Sequence, residues 1–136
     1  MELSSHARII IGIMLITLPG VEYGGYTILK RLKSQGVYSE WKQGPYFRAG
    51  HAHAGVFLIL GMLAQILIDG VHYADPLAYA LRVGFMLPPI LIPIGYFAGA
   101  PDDSGDPKPI LRLVYVGALS LGISAVVLGV GLVFGL

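Results

Sequence analysis

Two histidines, a glutamate and a set of tyrosines stand where an apolar chain has least reason to carry them. His51 and His53 open the run "HAHAGVFLILGMLAQILIDG", Glu22 follows Pro19 in an earlier apolar stretch, and Tyr23, Tyr26, Tyr96 and Tyr115 are spread over three such stretches. A buried carboxylate beside a neutral imidazole is able to bind a metal, hold a haem or a quinone, or pass protons. His51 and Glu22 are the expected cofactor-binding pair, with Tyr26, Tyr96 and Tyr115 assisting, and the same pair are the candidate metal ligands. With no cysteine in the chain, a metal would have to use His, Glu, Asp or Tyr, and a thiolate site is excluded. Haem b ligated by two histidines needs one from each of two helices, and the inner layer offers histidines on a single helix, so haem b would need a single axial ligand or a dimer sharing histidines. A dinuclear carboxylate centre would need Glu-x-x-His pairs, and there are none. A mononuclear transition-metal site remains open, and a quinone headgroup, needing only a histidine and a tyrosine or glutamate, is the least demanding ligand.

A second polar group gathers nearer the chain termini in depth: Arg8, Gln65, Asp69, His72, Asp75 and Arg82. Opposite charges are plentiful there, and pairing of Arg8 or Arg82 with Asp69 or Asp75 would neutralise groups that are otherwise costly near lipid. These four are expected to be structural ion pairs. Asp75 before Pro76 also has the form of a helix N-cap followed by proline.

Such residues have to be positioned by membrane-spanning helices. The 136 residues are 55% hydrophobic and 12% charged, with a mean hydropathy of +0.73, well outside the range of soluble domains. Four stretches reach the roughly 20 residues that cross a bilayer core: about 8–30, 48–70, 76–99 and 110–135. One four-span transmembrane domain over 1–136 follows, all-α, an antiparallel up-and-down four-helix bundle with a kink expected at Pro19, because backbone polar groups in lipid must be satisfied internally. Glu2 and the absence of a small-residue cleavage site argue against reading the first stretch as a signal peptide. The net charge of +1 and the lack of a basic run exclude nucleic acid as a partner; the lipid bilayer is the expected surrounding, with a homo-oligomer or a larger membrane complex.

Lys30, Arg31, Lys33, Lys42, Arg48, Lys108 and Arg112 fall on one side, against Arg8 and Arg82 on the other. By the positive-inside rule the termini are expected outside a cell membrane and the 30–47 loop in the cytoplasm, with Tyr38, Trp41, Tyr46 and Phe47 in the interfacial belt.

Helical periodicity sorts the polar groups into stripes. Arg8, Gly12, Leu15, Pro19, Glu22 and Tyr26 share one, and His51, Gly55, Leu58, Met62, Gln65, Asp69 and His72 share another; both are expected to face the interior. His53 lies about 200° from His51 and is expected to face lipid or a neighbouring chain. In the last span Ala118 with Gly122, Ser120 with Ser124, and Ala125 with Gly129 form small-xxx-small pairs suited to close helix contact.

The segment "YFRAGHAHAG", Tyr46 to Gly55, resembles segments of small uncharacterised four-span bacterial membrane proteins. The resemblance implies the four-span layout and no activity. The residues themselves point to a membrane protein binding a redox cofactor or metal. The alternatives are a non-catalytic accessory or self-associating subunit of a larger membrane complex, or a small transporter or proton pathway, the last opposed by the apolar gap of Leu15, Leu58 and Met62 between the two polar layers.

Overall fold

The computed structural model describes residues 2–35, 41–102 and 105–135. It is all-helical: α1 (Ser5–Gln35), α2 (Gly44–Ile68), α3 (Asp75–Met86), α4 (Pro88–Gly99), a 3₁₀ turn at Pro109–Arg112, and α5 (Leu113–Phe134). Helices α3 and α4 act as one span, so four helical spans are long and apolar enough to cross a membrane: Ser5–Ser34, Gly44–Ile68, Asp75–Gly99 and Pro109–Phe134. The chain is a multi-pass membrane protein, an antiparallel up-and-down four-helix bundle. Tyr38 lies outside the described residues.

Local chemistry explains the ends. Ser4 caps α1, its Oγ accepting from the Ala7 amide at 3.2 Å while its carbonyl accepts from the Arg8 amide at 3.0 Å. Prolines at the first turns of α2, α3 and α4 begin helices where a missing N–H costs nothing. Asp75 is not the cap of α3: Ala74 holds that position, without a side-chain cap, and Asp75 stands in the first turn. There its carboxylate meets the positive end of the helix dipole. Prolines inside the spans differ in effect. α1 is assigned as helix without interruption through Pro19, whereas the third span breaks at Leu87, ahead of Pro88 and Pro89.

The bundle is open. α2 is central, packed on α1 to one side and on α3 and α4 to the other, and α5 packs on α3 and α4. α1 barely touches anything but α2, and only 6% of its most apolar stretch is buried. Its buried side runs through Ala7, Met14 and Ile28, with Val21 and Gly25 half-covered, at the alternating spacing of a coiled-coil seam. The stripe Arg8, Leu15, Pro19, Glu22 and Tyr26, expected inside, is exposed. Lipid tails are as apolar as a protein core, so the polar stripe of a membrane helix does not mark the water side, and helices associate where small or well-fitting side chains permit close contact.

Two close approaches set the packing. Gly84 of α3 meets Ser124 of α5, and Ser120 Oγ donates to the Gly84 carbonyl at 2.9 Å, so the Ser120–Ser124 pair is the one used. Ala118, Gly122 and Ala125 remain on the exposed side. At the end bearing the termini, Ala64, Ile68, Val71, Leu81, Phe85 and Leu128 form the core, closed by the Tyr73 hydroxyl donating to the Val127 carbonyl at 2.5 Å.

Candidate functional site

At the opposite end, where α1 ends and α2 begins, the expected inner-layer residues are not brought together. The His51 imidazole lies against Gly24 and Gly25; a Cβ built on Gly25 would come within 2.8 Å of Nε2. These glycines let α1 rest on the ring. His51 makes no hydrogen bond among the described residues. Glu22, on α1 with these glycines, points outward and is exposed, as are Tyr23 and Tyr26, whose rings stand 6.3 Å apart. Tyr115 is 73% exposed on α5, at the far edge from α1. No group of three His, Asp or Glu able to hold a metal occurs among the described residues.

His53 departs from its expected outward position. Its ring stands 5.3 Å from that of Tyr96 on α4 and 5.4 Å from Phe57, and Nδ1 lies 2.7 Å from the Ala49 carbonyl. That carbonyl is one turn back, so Nδ1 carries the hydrogen and the ring is held by its own helix. Tyr96 thus serves α2–α4 packing, because α2 is covered on both sides and its "outward" face meets α4.

The second polar group is assembled. Arg82, 6% exposed, pairs through Nη2 with Asp69 Oδ1 and donates to Ser4 Oγ at 3.2 Å. Its Nη1 donates to the carbonyl of Gln65 at 3.2 Å and to Oε1 at 3.3 Å, and the Gln65 amide returns a bond to the Arg82 carbonyl at 3.4 Å. The Ser4 amide donates to Asp69 Oδ2 at 2.8 Å. Burial works against ionisation of Asp69, but the Ser4 amide, the Arg82 guanidinium and the Ser4 hydroxyl outweigh it, and the carboxyl is held below the usual carboxylate range. Arg8 and Asp75 stay out of this network: both are exposed, and the Arg8 guanidinium donates to Ser5 Oγ at 3.3 Å. The sequence offered two arginines for Asp69. Arg82 takes it because α3 packs on the end of α2, whereas Arg8 lies on the exposed stripe of α1. Ser4 escaped the sequence reading; its position before an apolar run was the available signal for a cap.

Above this network lies a cavity of about 450 Å³, lined by Ser4, His6, Ile68, Asp69, Val71, Tyr73, Asp75, Ala78, Tyr79 and Arg82. His6 stands edge-on to Tyr79, with ring centres 6.3 Å apart. His72 is exposed and does not line it.

Glu22 is the other unusual group. Met14 meets Gly61 and Gly25 meets His51, which fixes the height of α1 against α2. At 1.5 Å per residue the Glu22 Cα lies about 4 Å from the level of Val56, the middle of α2. An exposed carboxyl stands near the centre of the membrane-spanning layer. The two threonines of α1 are satisfied by their own helix: Thr17 Oγ1 donates to the Met14 carbonyl and Thr27 Oγ1 to the Gly24 carbonyl, each at 2.7 Å. Glu22 makes no hydrogen bond among the described residues.

Comparison with known proteins gives no match: no family model, no curated protein and no solved structure matches this chain.

Proposed function

We propose that the chain is a non-catalytic, self-associating membrane subunit whose copies pair through the exposed face of α1 around Glu22. The observation that carries this reading is an exposed carboxyl near the middle of a helix long and apolar enough to cross a membrane, with one covered side. Ionisable groups at that depth are costly in lipid and as a rule face protein. A second copy supplies suitable donors. In a two-fold dimer about the membrane normal, residues of equal number lie at equal height, so Glu22 of each copy is level with the Tyr23 and Tyr26 hydroxyls of the other, and a contact of Glu22 with either occurs twice. Both phenols are exposed and lie within about one turn of Glu22. Pro19, on the same face, lacks the N–H that would bond the Leu15 carbonyl, which adds an acceptor needing cover.

The test uses the absence of native cysteine. In vesicles, Leu15→Cys on this face should cross-link between copies on oxidation, and Val126→Cys on the exposed side of α5 should not. Glu22→Leu should abolish the Leu15→Cys cross-link while leaving the helical circular dichroism unchanged. A monomer in vesicles, or cross-linking through α5 instead, would overturn the proposal.

A second reading, a redox cofactor or metal at His51, is supported by one observation: this half-buried imidazole has no hydrogen-bonding partner among the described residues. Haem, quinone or a metal would then have to draw its other contacts from beyond this set. An absorption spectrum with metal analysis and quinone extraction on protein from its native membrane, beside His51→Ala, decides it. A signal lost in the variant favours the cofactor; its absence from both leaves the assembly reading alone. The proposed orientation places the termini outside and the 30–47 loop in the cytoplasm, on the distribution of lysine and arginine.

A further inference from the structure

The cavity beside the ion pair has a definite chemical preference, set by which of its hydrogen-bonding groups are already used. Arg82 spends the two N–H groups of Nη1 on Gln65 and those of Nη2 on Ser4 and Asp69, so four of its five donors are committed. Little is left for an anion. Asp69, by contrast, only accepts: it takes three bonds, from Arg82, the Ser4 amide and the Ser4 hydroxyl. A carboxylate offers about four lone-pair sites, so Asp69 retains acceptor capacity toward the cavity. Asp75 on the rim is exposed and outside the ion-pair network. Tyr79, 60% exposed, and His6 supply aromatic faces beside these carboxylates. Ile68 and Ala78 supply apolar wall. Spare acceptors, aromatic rings and an apolar wall together suit a donor-rich cation carrying a short hydrocarbon chain.

We propose that this cavity is a binding site for an alkylammonium group, the cation held by Asp75 and Asp69 against Tyr79 and His6, and the adjoining carbons against Ile68 and Ala78. Such a group belongs to an ethanolamine lipid headgroup or to a free amphiphilic amine; the recognition is the same for both. The site is formed by the start of α1, the end of α2 and the start of α3, away from the Glu22 face, and stands whether or not the chain self-associates.

The full-length protein in phosphatidylglycerol nanodiscs is titrated with hexylammonium, hexanol and hexyl sulfate while the thermal midpoint is followed. Hexylammonium alone should give a saturable rise, and Asp75→Asn and Tyr79→Ala, both at exposed positions, should each weaken it at least tenfold without loss of helical circular dichroism. Replacing half the lipid by phosphatidylethanolamine separates the sources: a site already filled by the headgroup no longer responds to hexylammonium, and an unchanged response identifies free amines as the ligand. Equal stabilisation by hexanol, a response that does not saturate, or full binding in both variants would overturn the assignment.

Discussion

Asp69 and Arg82 show how a residue's cost depends on its partners. With both side chains 7% exposed, removing one leaves the other buried and unpaired, which costs on the order of 3–5 kcal/mol, whereas replacing both by apolar groups of similar size is often close to neutral. Arg82→Met should therefore lower the thermal midpoint strongly, and Asp69→Leu/Arg82→Met should recover most of the loss; a double variant no better than the single would show that the pair has no such coupling. The same pair sets an acid limit. Because the Asp69 carboxyl is held below its ordinary value of 3.8 in the folded protein, its contribution is complete above that pH and is lost as the pH falls through the lower folded value. Thermal melts across pH 2–6 should show a decline below about pH 4 that is reduced in Asp69→Leu/Arg82→Met. The residue types were legible in the sequence, and so was an ion pair near the termini. The choice of Arg82 over Arg8 was not, since both arginines belong to the same polar group near the termini and only helix packing separates them.

Between elements, contact is decided by fit. His51 is seated on Gly24 and Gly25, and a Cβ at Gly25 would come within 2.8 Å of the ring. Gly25→Val should weaken α1–α2 packing by about 1–3 kcal/mol, as overpacking does, and Gly25→Val/His51→Ala should restore much of it by removing the ring. Melting curves of the four proteins of this double-mutant cycle measure the coupling; strict additivity would mean that the ring and the glycine do not press on each other. The small-xxx-small spacings of α5 were legible as helix contacts, yet three candidate pairs were present and only Ser120–Ser124 meets a helix in this chain, at Gly84. Prolines behaved similarly. The sequence placed them correctly inside spans, but the helix runs on through Pro19 and breaks at Leu87, where two successive prolines each remove an N–H.

Across the whole molecule, four spans and two connecting ends make a row with α1 at one edge and α5 at the other. That arrangement separates Glu22 from Tyr115, which a closed four-helix ring would have brought near each other. It also leaves α1 with a long outward face, which gives the proposed association its surface. Orientation is open to a direct check: in intact cells, Ser5→Cys should react with a membrane-impermeant maleimide and Lys33→Cys should not. The reverse pattern would invert the topology and place the ammonium cavity on the cytoplasmic side.

Composition and segment length by themselves determined the class, the number of spans and their antiparallel order, because crossing a bilayer demands about 20 apolar residues and internally satisfied backbone. Periodicity also determined which residues share a stripe on each helix. Only the tertiary structure decided where each stripe points. In water, burial of the apolar side settles that question; in lipid both sides are tolerated, and the balance passes to close packing at positions such as Gly25, Gly61 and Gly84. The polar stripe of α1 therefore faces out, and among the described residues the polar layer that closes within the chain is Ser4, Gln65, Asp69 and Arg82.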